Sequence, residues 1–175
     1  MIFIRLHTGD LGRMDAEGWI SVTGRIKEQY KLENGKYVVP APVENAIGIS
    51  RFISQVVLIG ANRPYNVALL VPDWAAIRHE LHLEEFISDV ELSKDRRVSE
   101  LIDDEITKNC SQLKKFEVPR AWAFVPPFSV ADNTLTPKMT IRKHAVLKAY
   151  GDLISNLYVD KTVDSNKLHP TSEVA

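Results

Sequence analysis

The segment that most constrains the fold is residues 7–40, where glycines divide the chain into short stretches. Short stretches punctuated in this way are typical of strands joined by tight turns. Asn34-Gly35 is the strongest two-residue hairpin signal, so we expect a hairpin around it. The apolar residues within 19–22 follow a turn at Glu17-Gly18, as the first residues of a strand would.

Three apolar runs further along the chain predict a central sheet. Phe52–Gly60 and Tyr65–Val71 are rich in β-branched residues and are separated by a turn that contains Pro64. We expect them to form adjacent, well-buried strands. Ala121–Val125 has the same character and is followed by Pro126-Pro127, which ends it.

Helix signals lie between and after these runs. Pro40 begins a short helix that Gly48 ends, and Asp73 caps a second helix. Ser93 begins the most regular helix, expected over residues 93–115, because apolar residues recur there at 3.6-residue spacing. Its stripe consists of Val98, Leu101, Ile102, Ile106, Cys110 and Leu113. A last amphipathic helix is expected over residues 141–158.

The order of these elements predicts an α+β fold. We expect a small mixed β-sheet flanked by helices and preceded by a short β-hairpin segment. A chain of 175 residues suits one domain, or one domain plus a tail. The composition becomes polar near the end, so residues 159–175 are expected to form a disordered tail.

Charge and cysteine content exclude several classes of function. The formal net charge of −1 argues against the basic footprint of a nucleic-acid-binding protein. The single cysteine, Cys110, lies on the apolar stripe and is interpreted as a core residue; it cannot form an intrachain disulfide, which fits a reducing compartment. The apolar run at residues 1–6 is too short for a signal peptide or a membrane span.

Several motifs occur in an order that resembles one enzyme family. They are Thr8-Gly9-Asp10, then Gly24-Arg25, then Gly35-Lys36-Tyr37-Val38-Val39-Pro40-Ala41-Pro42-Val43-Glu44. Together they resemble the C-terminal part of acyl-adenylate-forming (AMP-binding) enzymes, in particular long-chain acyl-CoA synthetases (long-chain fatty acid–CoA ligases). The resemblance implies that residues 1–24 end the large AMP-binding domain and include the hinge, and that residues 25–158 form a C-terminal lid domain.

The same resemblance implies roles for three residues near the hinge. Asp10 would accept hydrogen bonds from the ribose hydroxyls of the adenylate, and Arg25 would approach the same ribose. Gly24 would be the hinge, at a position where long-chain enzymes often carry Asp. Judged from the residues alone, Asp10 also suits a Gly-rich turn bonded to its own backbone, and Gly24 is also an ordinary turn glycine.

Residues 133–143 resemble the last family motif, Leu-Thr-Pro-Thr-hydrophobic-Lys-hydrophobic-x-Arg, whose lysine contacts the acyl carboxylate and the α-phosphate. Alignment on Leu135 puts Thr140 at the lysine position and Lys138 two residues earlier. We assign the catalytic role to Lys138, since positions 138 and 140 would face the same side of an extended segment. The alternative is a basic surface cluster at a helix entry, made of Lys138, Arg142 and Lys143.

Two weaker patterns favour solvated surface positions. His79 and His82 lie three apart on a predicted helix, but no further ligands cluster with them, so no metal site is expected. Lys27 and Lys31 are interpreted as solvated strand charges, with binding of CoA phosphates as the minor alternative.

The resemblance implies an ATP-dependent ligase that makes an acyl-adenylate and then acyl-CoA. Its substrates would be a fatty acid, ATP and CoA, with Mg²⁺ and the product AMP. The family's phosphate loop and acyl pocket have no counterpart here, so we expect no activity and no tight ligand binding by this chain alone. A large AMP-binding domain, in cis or in trans, would complete the enzyme.

Two alternatives stay open at this point. One is a non-catalytic interaction or regulatory module derived from such a domain, and the other is a luciferase-like or different adenylating ligase. The expected location is intracellular, either cytoplasmic or peripheral to a membrane.

Overall fold

The computed structural model describes residues 8–84 and 86–159, so residues 160–175 of the predicted tail lie outside it. Val159 itself closes the last helix. The described elements are, in chain order, β1 (Asp10–Met14), β2 (Ile20–Arg25), a short 3₁₀ helix (Ile26–Glu28), β3 (Tyr30–Lys31), β4 (Tyr37–Val38), α1 (Pro40–Ile47), β5 (Ile53–Ile59), β6 (Val67–Pro72), α2 (Trp74–Glu80), α3 (Asp89–Leu92), α4 (Arg96–Asn109), β7 (Ala121–Phe124), α5 (Lys143–Ala149) and α6 (Gly151–Val159).

A three-stranded mixed sheet forms the centre and confirms the predicted fold class. β6 lies in the middle, antiparallel to β5 and parallel to β7. Side chains alternate between the two faces, so Leu70 packs toward α1, α2 and α4, whereas Leu69 packs toward α5 and α6. Because both faces are covered, β6 is an almost continuous apolar run, as its sequence predicted.

A buried amide joins three segments at one end of this sheet. Asn66 is fully buried; its Oδ1 accepts a hydrogen bond from the Tyr30 hydroxyl (2.7 Å), and its Nδ2 donates to the carbonyls of Phe116 (3.0 Å) and Glu117 (2.8 Å). The site needs Gly60 beside it, since a Cβ there would lie 2.1 Å from Asn66 Oδ1. Burial raises the pKa of Tyr30, which stays a neutral donor.

The hairpin around Asn34-Gly35 forms, but its predicted two-residue turn is wrong. β3 and β4 pair through Tyr30–Val38 and Lys31–Tyr37, so the connection is longer than two residues. Gly35 has a positive φ of 83°, whereas the Asn34 side chain accepts a hydrogen bond from the Lys36 N–H. Asn34 therefore acts as a side-chain acceptor in the turn, which a dipeptide pattern does not reveal.

The long helix starts later and ends earlier than predicted. Ser93 is the C-cap of α3, and the N-cap of α4 is Asp95, whose carboxylate accepts the Arg97 N–H at 2.8 Å. Because the carboxylate of Asp95 accepts one of the free N–H groups of the first turn, the helix begins after Asp95 and not at Ser93. Leu101 is only half-buried. The stripe is confirmed as core at Val98, Ile102, Ile106 and Cys110, whereas Leu113 lies beyond the end of α4 and is half-buried.

The last predicted helix is two helices. Ile141 forms an isolated antiparallel bridge with Leu135, so α5 begins only at Lys143. The helix breaks at Tyr150, directly before Gly151, where the absence of a side chain lowers helix propensity. Leu147 would lie on the apolar face of a single amphipathic helix over residues 141–158, but it is exposed.

Candidate functional site

The β1–β2 hairpin brings Asp10 and Arg25 together. They are partners in the antiparallel register, and Arg25 Nε lies 3.4 Å from Asp10 Oδ1. The carboxylate is partly covered, whereas the guanidinium is largely exposed. Asp10 also donates its backbone N–H to Thr8 Oγ1 at 3.2 Å. A carboxylate held beside a cation in this way can accept hydrogen bonds from two vicinal hydroxyls.

Gly24 is needed for close packing. Among the described residues, the glycines with a positive φ are Gly9, Gly18 and Gly35, so the conformation of Gly24 does not itself require a glycine. A Cβ at this position would lie 2.5 Å from Val39 Cγ1, so the glycine lets β2 lie directly against the residue that precedes α1. This contact places Gly24 at the junction of the hairpin with the rest of the fold, and its role as a hinge stays a prediction.

The segment that carries Lys138 is a tight turn, so the expectation of an extended backbone is wrong. The Thr136 N–H donates to the Thr140 carbonyl, and the Met139 N–H donates to the Thr136 carbonyl, each at 2.8 Å. Met139 adopts a positive φ of 61°. The argument that positions 138 and 140 share a side therefore does not apply. Both residues are exposed, and the catalytic assignment of Lys138 stays a prediction.

A compact polar network forms the base of this turn. Thr134 is buried; its hydroxyl donates to Asp132, and its Oγ1 accepts the Ser129 N–H at 2.9 Å. The hydrogen bond from the Thr134 hydroxyl lowers the pKa of Asp132. The Arg142 N–H donates to the Thr134 carbonyl at 2.7 Å, which closes the base opposite the exposed tip.

An ion pair between Glu44 and Lys143 was missed in the sequence. Lys143 Nζ lies 2.8 Å from Glu44 Oε1, and the same oxygen accepts the Leu58 N–H at 2.9 Å. The two residues are 99 positions apart and end the two motifs at 35–44 and 133–143. The sequence shows that the two motifs end in residues of opposite charge, but a single sequence gives no signal that these two residues are in contact. Lys143 is therefore removed from the proposed surface cluster.

The predicted site residues lie in two separate parts of the structure. Asp10 and Arg25 lie on the hairpin, and Lys138 lies on the turn. Within residues 8–84 and 86–159, no hydrogen bond or ion pair connects Lys138 with either of them. The arrangement thus offers one polar site for hydroxyl groups and one exposed ammonium.

The weaker candidates lie partly in other elements than predicted: Lys27 belongs to a short 3₁₀ helix and not to a strand, and His82 follows the end of α2 with a positive φ of 50°. His79 and His82 line an open groove with Arg78, but the described part of the chain contains no group of three His, Cys, Asp or Glu that could hold a metal. Cys110 is buried, and burial raises the pKa of its thiol, which confirms it as core. Lys31 lies over the Tyr37 ring at 5.9 Å. No described helix has the length and apolar character needed to cross a bilayer.

Comparison with known sequences gives a consistent picture. Residues 27–162 match the family model of the AMP-binding enzyme C-terminal domain. The chain is 31% identical over 157 residues to fatty acyl-CoA synthetase B of Dictyostelium discoideum, covering 87% of this chain and 23% of the relative. It is 30% identical over 166 residues to the peroxisomal long chain acyl-CoA synthetase 7 of Arabidopsis thaliana, covering 89% and 23%. The chain thus spans less than a quarter of these relatives' length.

Solved structures share the fold. The A-PCP didomain of a carboxylic acid reductase from Segniliparus rugosus, in complex with AMP, superposes with a TM-score of 0.71 at 24% identity, over 89% of this chain and 21% of that one. A Mycobacterium tuberculosis fatty acyl CoA synthetase gives a TM-score of 0.52 at 21% identity, over 83% and 24%. At these identities the similarity establishes the architecture alone.

Proposed function

The chain belongs to the family of C-terminal domains of AMP-binding enzymes, and from this premise we propose that it is the C-terminal part of an ATP-dependent long-chain fatty acid–CoA ligase. The observation that carries the proposal is the family match over residues 27–162, which includes the turn with Lys138. The names of the two curated relatives above support the choice of a long-chain fatty acid as the acyl substrate.

The proposed reaction has two steps. A carboxylate oxygen of the fatty acid attacks the α-phosphorus of ATP, the bond to the β-phosphate breaks, and pyrophosphate leaves with its electron pair. The thiol sulfur of CoA then attacks the acyl carbon and AMP leaves, while the thiol proton goes to solvent or a base. Mg²⁺ would enter bound to the triphosphate, as part of the substrate.

The hairpin residues suit the binding of the nucleotide. Asp10 would accept hydrogen bonds from the ribose hydroxyls, and Arg25, whose Nε lies 3.4 Å from Asp10 Oδ1, would orient that carboxylate. Gly24 would allow the backbone to rotate between the two steps, because it has no side chain that limits its φ and ψ. Such a rotation would bring the turn in for the first step and move it away for the second.

Lys138 suits the stabilisation of negative charge in the first step. Its ammonium lies on an exposed turn whose base is fixed by the buried Thr134. A fixed base with a mobile cation at its tip can approach the carboxylate and the α-phosphate together. The loss of one such contact typically lowers the rate about 10²–10³-fold.

A second candidate function is a non-catalytic interaction module. It is favoured by Thr140, which stands where the family lysine aligns and carries no charge. In that case Lys138 would be a surface residue, and no enzyme built with this chain would need it.

The test measures pyrophosphate release from ATP and palmitate. We expect no turnover by this chain alone and adenylation by its fusion to the large domain of a related ligase. In the fusion, Lys138→Ala should lower adenylation about 10²-fold, because it removes the ammonium at the reacting phosphate. Formation of acyl-CoA from preformed acyl-adenylate should be largely unchanged.

Thr140→Lys is the matched comparison. Turnover by the isolated chain would overturn the proposal that it is one part of an enzyme. Equal adenylation by Lys138→Ala and the parent fusion would show that Lys138 takes no part. A large gain from Thr140→Lys would favour the non-catalytic module, since the natural sequence would then lack the lysine that the chemistry needs.

A further inference from the structure

We propose that Glu44 and Lys143 are positioning residues whose ion pair fixes the Lys138 turn to the body of the domain. The inference rests on the proposed function, because it concerns how that turn is delivered to the α-phosphate. The two residues do not themselves contact a substrate. Their role would be to set where the turn lies, and so the reach of Lys138.

The two ends of the segment are fixed in different ways. At its entry the Phe128 N–H donates to Gln55 Oε1 at 2.8 Å, and Leu135 is buried in the core. At its exit Arg142 makes polar contacts close in sequence, with the Thr134 carbonyl, the Asn133 side chain and the Val146 N–H. The next residue, Lys143, makes the polar contact with α1. The Leu135–Ile141 bridge and the buried Val146 hold the exit against its own side of the sheet, and the Lys143 contact adds the polar link to α1 that fixes its direction.

The acceptor is preorganised for this purpose. Glu44 Oε1 is already fixed by the Leu58 N–H, which belongs to the buried strand β5. The side chains of Glu44 and Lys143 are 18% and 34% exposed, whereas the surface pair Arg96–Glu100 is 58–77% exposed. A partly desolvated pair with a fixed acceptor resists solvent screening better than a surface pair. It therefore suits a structural constraint on the neighbouring turn.

Hydrogen exchange in the 175-residue chain tests the constraint directly. Lys143→Ala should speed exchange of the Thr136 and Arg142 amides about tenfold, the factor expected for losing one charged hydrogen bond. Lys148→Ala is the control, because it removes an exposed lysine from the same helix. Exchange within α4 should not change in either variant, which shows that the fold is kept. Unchanged exchange at both turn amides would overturn the inference.

The catalytic consequence is measured in the fusion described above. Lys143→Ala should lower kcat of adenylation about tenfold with little change in KM for ATP, since a misplaced cation affects the reacting centre. Lys143→Arg should restore most of the rate because it keeps the charge, and the thioester step should not change. A loss that Lys143→Arg does not restore, or an equal loss in both steps, would indicate a general structural effect and overturn the role.

The two proposals fail separately. A parent fusion without adenylation would overturn the proposed function and the catalytic part of this inference, while hydrogen exchange still decides whether the ion pair fixes the turn. A fusion that adenylates normally with Lys143→Ala would overturn the positioning role and leave the proposed function intact.

Discussion

The β1–β2 hairpin and the central sheet have similar apolar strands but opposite exposure. In the central sheet, Val67 to Leu70 are all 0% exposed. In the hairpin, Met14, Ile20 and Val22 are about 70% exposed, at 68%, 75% and 71%. Met14 pairs with Ile20, and Val22 pairs with Gly12, so the three exposed side chains share one face of the hairpin.

The difference shows that strand formation and burial have separate causes. Alternation and β-branched residues are enough to predict that β2 is a strand. Burial also needs a second layer, which α1, α4, α5 and α6 supply for the central sheet. An isolated two-stranded hairpin is only marginally stable in water. We therefore expect the two regions to respond very differently to the same substitution.

The largest contrast should come from placing a carboxylate in each region. Leu69→Asp would bury an unpaired charge in the middle strand and should cost about 4 kcal/mol or more of the free energy of unfolding. Ile20→Asp replaces a side chain that is 75% exposed and should change that free energy by less than about 0.5 kcal/mol. Urea unfolding of both variants, followed by circular dichroism, measures the two values.

Leu69→Met is the control for the core position, because it keeps the volume and adds no charge. A loss of more than about 2 kcal/mol for Ile20→Asp would be far too large for an exposed residue and would mean that the hairpin face is covered in solution.

A smaller contrast should come from the two tightly packed glycines. Gly60→Ala would place a Cβ 2.1 Å from Asn66 Oδ1, which hydrogen bonds hold in place, and should cost about 1–3 kcal/mol. Gly24→Ala meets the end of the Val39 side chain at 2.5 Å, where a shift of the hairpin relieves the overlap. We expect almost no change in unfolding for Gly24→Ala, but faster hydrogen exchange in β1 and β2.

Two outcomes would contradict the expectations for the glycine variants. Slower exchange in the hairpin after this substitution would contradict the packing argument. Equal losses of unfolding free energy for the two variants would show that the hairpin and the sheet unfold as a single cooperative unit.

The smallest effect is expected from changing the pH around the polar turn at residues 129–134. Like the hairpin, this turn is held by local contacts, and like the central sheet, it contains a buried residue. The lowered pKa of Asp132 means that the folded state binds its proton less readily than the unfolded chain. Its stabilising contribution is complete above the ordinary pKa of an aspartate and is lost as the pH falls through the lowered value. NMR shifts of the Ser129 and Thr134 amides should follow this titration.

Asp132→Asn is the control for that experiment. It keeps an acceptor oxygen but cannot ionise, so the acid-dependent shift of the two amides should disappear. A shift that persists in Asp132→Asn would have to come from another carboxylate.

The sequence was sufficient to predict the strands and helices that are encoded by a local pattern of apolar residues. The continuous apolar runs predicted β5, β6 and β7 and the burial of the first two, whereas β7 is buried at Ala123 and half-buried at its other residues. The stripe at Val98, Ile102 and Ile106 predicted the buried face of α4. Helix ends were less accurate, because Asp95 and Ser93 both suit an N-cap and only the fold selects between them. The break at Tyr150 was missed because apolar residues continue on both sides of it.

The candidate site was predictable in its residues and only partly in its arrangement. Antiparallel pairing of two short strands places Asp10 beside Arg25, and the motif order suggested both. The pair of Glu44 with Lys143 and the contacts of Asn66 connect segments far apart in sequence, so no local pattern encodes them. The conformation around Lys138 depends on hydrogen bonds within the turn that the residue types alone do not specify.

The contact between Gly60 and Asn66 also limits how this domain can change over evolutionary time. A larger residue at position 60 requires a shorter one at position 66, yet shortening Asn66 first removes the partner of Tyr30 and of the Phe116 and Glu117 carbonyls. Either single change is harmful, so the two positions show sign epistasis. Homologues should therefore retain both residues or replace both, and ancestors with only one replacement should be rare.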